Sequence, residues 1–125
     1  MHATREDLPY FFGADGTGIR GVNWGQMRSM IVALPTGADM GPLLRGLPND
    51  LCPCPHWGYV LKGRLKVTYS DGEEELLTGG DLFYMPSGHT AVVEEDVEFV
   101  EFSPPVEHEA VLDVVRRNAA AAQSA

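Results

Sequence analysis

The alternation of hydrophobic and polar residues is clearest over residues 97–102, and it predicts a strand there. Residues 27–34 predict another strand, which ends at a Pro-Thr-Gly turn. Between them, short apolar segments alternate with turns rich in glycine, proline, serine and aspartate, as is typical of an antiparallel sandwich or barrel. The predicted strands in this region are 59–61, 65–69, 73–77, 82–85 and 89–93, the first two forming a hairpin around Lys62-Gly63-Arg64.

The two ends of the chain differ from this middle part. Residues 1–26 predict an irregular arm in which aromatic residues are scattered among glycines. After Pro104-Pro105, a helical spacing of apolar residues predicts one helix over about 106–122, lying on the exterior of the barrel. Acidic residues near its start and Arg116-Arg117 nearer its end agree with the helix dipole. Residues 36–55 form a long loop of about 20 residues, and loops of that length in a small domain are usually functional.

The composition fits this organisation. A chain of 125 residues predicts a single domain, 1–125, with the barrel at about 27–103. The 14 glycines and 9 prolines exceed the usual share of about 12%, in agreement with many turns. The net charge of −9 argues against nucleic acid and anionic membranes as partners.

The chain has two cysteines, Cys52 and Cys54, on either side of Pro53. No apolar segment approaches the roughly 18 residues of a membrane span, and residues 1–10 lack the apolar core of a signal peptide. We therefore expect a cytoplasmic protein whose cysteines are thiols rather than a disulfide.

Two segments resemble motifs of the cupin superfamily, in particular small single-domain cupins of the cupin 2 type. They are residues 56–64 (HWGYVLKGR) and 80–89 (GDLFYMPSGH). Gly63 matches the glycine of the first cupin motif, and Gly80, Pro86 and Gly88 have the spacing of the second. The resemblance implies an all-β fold, a double-stranded β-helix or jelly-roll barrel that often holds one metal ion. The family's ligands are not in their usual places, since His56 stands where glutamate is usual and His89 lies two residues before the usual histidine.

The period of an extended strand suggests a different ligand set. Alternate residues of a strand face the same side, so Cys52, Cys54 and His56 share a face with Val60, and His89 shares one with Ala91. Thiolate and imidazole are good ligands for Zn, Fe, Cu or Mn. We therefore predict a divalent metal bound by His56 and His89 with Cys54 and Cys52, while each cysteine could equally line the core as a small hydrophobic residue. His2 and His108 lie outside the motifs and are expected to be solvated.

With these ligands, the cupin resemblance implies metal-assisted chemistry on a small organic molecule as ligand or substrate, of the oxygenase, isomerase or cyclase type. The alternative is a non-catalytic, metal-free cupin that binds or senses a small molecule, and a third hypothesis is a structural module whose barrel is filled with side chains. Trp57, Tyr59 and Tyr84 are out of phase with the inward residues, which favours surface or subunit packing. With the aromatic N-terminal arm, they lead us to expect a homodimer.

Overall fold

Antiparallel pairing of two long strands organises the chain, as a computed structural model that describes residues 1–124 shows. The described residues form seven strands in one antiparallel sheet, in the order β1-β2-β3-β7-β4-β5, with β6 pairing with β4. The predicted mostly-β fold with one C-terminal helix is confirmed. The elements are β1 (Tyr10–Ala14), β2 (Thr17–Trp24), β3 (Met27–Leu34), β4 (His56–Tyr69), β5 (Glu74–Thr78), β6 (Leu82–Met85), β7 (His89–Ser103) and α1 (Pro105–Ser124).

The hairpin predicted around Gly63 is wrong, because residues 56–69 form one continuous strand. Its register against β7 shifts between Val60 and Leu65, which marks a bulge rather than a turn. Gly63 has a φ of +88°, and a Cβ at this position would overlap the carbonyl oxygen of Asp96 on β7. Glycine is needed here to let two paired backbones approach and bend.

The bend brings together strand ends that the pairing alone would separate. His56 begins β4, where its neighbour Trp57 pairs with Phe102, whereas His89 begins β7 and pairs with Tyr69 at the other end of β4. Thirteen residues of straight strand separate Tyr69 from His56, which corresponds to roughly 43 Å. The rings of His56 and His89 nevertheless lie 4.8 Å apart between centroids. The β4–β7 ribbon therefore curls until its two ends meet.

The prediction of an irregular arm over residues 1–26 is wrong for residues 10–24, which form the hairpin of β1 and β2 and extend the sheet through β3. Asp15 and Gly16 join the two strands, both at positive φ. An Asp-Gly turn between strands is a strong hairpin signal. The glycines nearby obscured it, because glycine has low strand propensity. Gly13 and Gly18 face each other, and a Cβ on either one would overlap the opposite backbone.

Helix α1 spans Pro105–Ser124, close to the predicted 106–122. It does not merely lie on the exterior. Its apolar side packs on the long loop of residues 36–55, and Val111, Leu112 and Val115 form a buried cluster with Leu44 and the cysteines of that loop. A separate cluster inside the sheet forms the main core. In the part of the chain that the structure describes, α1 is too polar to be a membrane-spanning helix.

The glycine of the bulge provides a test of the bend. Gly63→Ala is expected to destabilise the protein by about 2–4 kcal/mol, because the new Cβ adds backbone overlap to the strain of positive φ. Gly72→Ala is the matched control, since Gly72 has the same φ of +88° with nothing within 4 Å of its Cβ position. We expect the control to lose only about 1 kcal/mol. Urea denaturation measures both, and equal losses would contradict the close approach at Gly63.

Candidate metal and ligand site

A cavity of about 260 Å³ lies between the sheet, the long loop and α1. Its walls are mostly apolar and include Val32 of β3, Leu65 of β4, Phe99 of β7 and Leu112 of α1. Concave, mainly apolar cavities with a few polar groups are typical of small-molecule sites. This cavity argues against the third hypothesis, a structural module whose barrel is filled with side chains.

Three predicted ligand residues meet at this cavity. Ligand atoms of Cys52, His56 and His89 all lie within 4.8 Å of one another, and all three residues are buried. His56 and His89 come from the first residues of β4 and β7, and Cys52 comes from the loop. The backbone of Cys52 pairs with the start of β7, since its N–H donates to the His89 carbonyl at 2.8 Å and its carbonyl accepts from Gly88 at 2.8 Å. The cysteine is thereby held against the two histidines.

Both imidazoles are hydrogen-bonded through Nδ1, while Nε2 of His56 faces the Cys52 thiol and Nε2 of His89 has no hydrogen-bond partner among the described residues. His89 Nδ1 lies 2.8 Å from the carbonyl oxygen of Pro86, which only accepts, so Nδ1 carries the proton and Nε2 keeps its lone pair. His56 Nδ1 lies 2.6 Å from Ser103 Oγ, and its Nε2 lies 3.6 Å from Cys52 Sγ. Metal-binding histidines usually have their second nitrogen bonded in this way. The donor set therefore fits a transition metal, and the buried Cys/His/His cluster could hold one.

The buried surroundings favour neutral side chains at this cluster. Burial lowers the pKa of His56 well below its ordinary value and also lowers the pKa of His89, so both imidazoles are neutral at pH 7 as metal binding requires. Burial raises the pKa of the Cys52 thiol to about 12. This thiol is therefore protonated until a metal displaces its proton.

Cys54 does not join this group. It is fully buried in the cluster beneath α1, and its thiol lies 3.5 Å from the Pro55 carbonyl. The segment between Cys52 and His56 is not a regular strand, so the parity that placed Cys54 on the ligand face does not apply there. Both cysteines are free thiols, in agreement with the prediction.

Sequence reasoning missed Glu101, a buried carboxyl group in the cavity wall. Desolvation raises the pKa of Glu101 to about 8, and its Oε1 lies 3.8 Å from His56 Nδ1. The sequence signal is the strict period of two along β7, in which Val97, Phe99 and Glu101 face inward while Phe102 faces outward. Val100 and Phe102 are apolar residues at outward positions of this strand. A prediction from hydrophobicity alone therefore does not place Glu101 on the inner face.

The prediction that His108 is solvated is wrong. His108 is 3% exposed and lines the cavity from α1. Its Nδ1 lies 3.1 Å from Nη1 of Arg28, a residue of β3 that is also buried. A signal was present, since His108 shares the helical spacing of Val111, Leu112 and Val115 and so lies on the buried face. Trp57, Tyr59 and Tyr84, by contrast, face outward as predicted.

Comparison with solved structures shows that the chain has the cupin fold. An RmlC-like cupin from Shewanella frigidimarina NCIMB 400 matches with a TM-score of 0.58 at 17% identity, over 82% of this chain and 88% of that one. KdgF from a Halomonas species matches with a TM-score of 0.54 at 25% identity, over 81% and 92%. The polyketide cyclase RemF from Streptomyces resistomycificus matches with a TM-score of 0.58 at 16% identity, over 83% and 78%. No protein-family model and no curated protein sequence matches the chain.

The burial of His108 makes stability depend on pH. Burial, together with the charge of Arg28, lowers its pKa to about 4, so unfolding takes up a proton between pH 6.5 and pH 4. The contribution of neutral His108 is present above pH 6.5 and is lost as the pH falls, by about 3 kcal/mol in total. Glutamine does not titrate, so we expect His108→Gln to lose less stability than the wild type as the pH falls from 7 to 4. The difference in free energy of unfolding between variant and wild type should therefore shift in favour of the variant. Urea denaturation at several pH values measures it, and a constant difference would contradict the buried neutral state.

Proposed function

We propose that this chain is a cupin that binds one divalent transition metal through Cys52, His56 and His89 and acts on a small, largely apolar molecule in the adjacent cavity. The observation that carries the proposal is the pair of buried imidazoles, each hydrogen-bonded through Nδ1, with Nε2 of His56 3.6 Å from the Cys52 thiol and Nε2 of His89 without a partner among the described residues. Cavities that only enclose apolar ligands have no use for such an arrangement, because buried polar groups are costly.

The donor set bears on the choice of metal. Thiolate and imidazole favour Zn, Fe or Cu, with Mn as a weaker candidate, over the oxygen-preferring Mg and Ca. Three protein donors leave a coordination position for the ligand, which is the arrangement of catalytic rather than structural sites. When bound, the metal would supply a Lewis acid at the wall of the cavity.

The protein's own groups favour proton-transfer chemistry. Glu101 is a buried carboxyl group in the wall of the same cavity, and a carboxyl group facing a ligand can donate or accept a proton. The apolar walls exclude water from the ligand. We therefore place isomerisation or cyclisation ahead of oxygenation. RemF, named as a polyketide cyclase, shares the fold at 16% identity.

The alternative function is a metal-free cupin that binds or senses a small molecule. The apolar cavity is equally suited to it, because such a cavity encloses a ligand whether or not a metal is present. The metal content separates the two proposals. We also keep the proposal of a cytoplasmic location, which two free thiols support.

We further propose that the chain forms a homodimer through the outer face of β6, β4 and β7. Adjacent exposed side chains cover this face, with Trp57 paired to Tyr84 and Phe102, and Tyr59 paired to Leu82. The Trp57 and Tyr84 rings stack with centroids 5.3 Å apart. These residues are 38–83% exposed, which amounts to roughly 500 Å² of apolar surface. A stable interface takes about 800 Å² from each partner, and a second copy of the same face would cover the patch.

Metal analysis tests the proposed site. Protein purified without a nickel column is expected to contain close to one Zn, Fe, Cu or Mn per chain. His56→Ala and His89→Ala are expected to lose most of that metal with an unchanged circular dichroism spectrum, because each removes one of three ligands. Cys54→Ala is the matched control, a buried cysteine outside the group, and should keep the metal. A metal-free wild type would favour the binding or sensing cupin instead.

Sedimentation velocity tests the dimer. The wild type is expected to sediment at twice the 13.6 kDa mass of the chain. Trp57→Ser should weaken association at least tenfold, because large aromatic residues at the centre of an interface carry much of the binding energy. Leu76→Ser is the control, since Leu76 is also exposed but lies on β5 opposite Lys66, seven residues along β4 from Tyr59. A monomeric wild type, or equal effects of the two variants, would refute this interface.

A further inference from the structure

A buried arginine determines which nitrogen of His108 carries the proton. Arg28 Nε donates to Asn23 Oδ1 at 2.9 Å, and Arg28 Nη1 lies 3.0 Å from Glu109 Oε1 and 3.1 Å from His108 Nδ1. A guanidinium group has only donors, so Nδ1 of His108 must accept. The neutral imidazole of His108 therefore carries its hydrogen on Nε2.

The position of Arg28 is itself well determined. Its guanidinium carbon lies 4.1 Å from the centroid of the Phe11 ring, and Glu109, its partner, also accepts from Arg116 at 2.6 Å. Arg28 is 4% exposed, so breaking these contacts would leave a buried charge unpaired. The arginine thus holds His108 in one tautomer, opposite to that of His89, whose hydrogen is on Nδ1.

The Nε2–H of His108 has no acceptor among residues 1–124. The imidazole of His108 makes its hydrogen bond to Arg28, while its ring lines the cavity and lies 5.8 Å from the ring of His56. Because Nε2 carries a hydrogen, it has no lone pair for a metal, and His108 differs in this respect from the ligand group. An N–H of a cavity-lining ring that bonds to no acceptor in this part of the chain is free to donate to a ligand atom in the cavity.

We infer that His108 recognises a hydrogen-bond-accepting oxygen of the cavity ligand, and that the ligand is a small, mainly apolar molecule with a carbonyl oxygen. This inference rests on the proposed function in taking the cavity as the ligand site. The apolar part of the ligand packs against Val111, Leu112 and Val115, and its oxygen accepts from Nε2–H. A fixed donor gains nothing from a hydrocarbon and rejects a group that only donates, such as an ammonium ion.

The tautomer is directly observable. Long-range ¹⁵N–¹H correlation spectra of the full chain, labelled at histidine, distinguish Nε2–H from Nδ1–H imidazoles. We expect His108 in the Nε2–H form and His89 in the Nδ1–H form at pH 7. An Nδ1–H form of His108 would overturn the inference, since the donor would then face away from the cavity.

The ligand class is tested with two matched probes, acetophenone and ethylbenzene, which differ in the carbonyl oxygen. Titrations followed by chemical-shift changes should give about tenfold tighter binding of acetophenone, the usual effect of one hydrogen bond to a buried donor. His108→Phe should remove that preference and leave ethylbenzene binding unchanged. His108→Gln, whose amide can donate near the Nε2 position, should keep part of the preference and remains informative if the phenylalanine variant does not fold. An equal preference in wild type and His108→Phe, or none in the wild type, would overturn the inference.

Both forms of the protein are needed to separate this inference from the metal site. In metal-free protein a preference for the carbonyl cannot come from a metal, so its loss in His108→Phe is assigned to His108. Zinc-loaded His108→Phe should still hold close to one zinc per chain, because the three proposed ligands are unchanged. If the wild type does not bind zinc, the metal proposal alone is refuted. If metal-free His108→Phe prefers the carbonyl as strongly as the wild type does, the role of His108 alone is refuted.

Discussion

The bend of the β4–β7 ribbon is the constraint on which the rest of the structure depends. The two strands are paired along most of their length, and the bulge around Gly63 lets them curl until His56 and His89 meet. The same curl encloses the cavity and creates an open end, which the long loop and α1 cover. Without the bend, two residues at opposite ends of a ribbon could not form one site.

Strict alternation along the bent strands explains why polar groups lie in an apolar interior. Every second residue of β7 points to the inner face of the sheet, and these residues include Glu101 and Ser103 as well as Val97 and Phe99. The two histidines at the strand ends are bonded locally, His56 to the Ser103 hydroxyl and His89 to the Pro86 carbonyl. From α1, His108 completes the polar part of the wall, held by Arg28. The site thus forms because the two-residue period of the strand and the 3.6-residue period of the helix place a few polar residues on the inner faces of these elements.

Local patterns explain how much could be predicted. The strands, the C-terminal helix and the inward direction of His56 follow from periods of two and 3.6 residues, which are properties of short segments. The hairpin predicted at Gly63 failed because a bulge and a turn share the same glycine signal, and only the partner strand distinguishes them. The prediction of Cys54 as a ligand failed because Pro53 and Pro55 break the regular strand that the alternation of faces assumes. The prediction of a solvated His108 failed because its helix was expected to lie on the exterior of the barrel.

The sequence by itself therefore determined the mostly-β fold, the final helix and the inward direction of His56, since each depends on residues close together in the chain. The bend of the β4–β7 ribbon made His56 and His89 a pair. The tertiary structure decided that Cys52 rather than Cys54 joins that pair, because backbone pairing with His89 positions Cys52. It also decided that Glu101 and His108 face the cavity and that Arg28 sets the tautomer of His108. Arg28 and His108 are 80 positions apart. Only the packing of α1 against the sheet brings them together, and no local pattern encodes that contact.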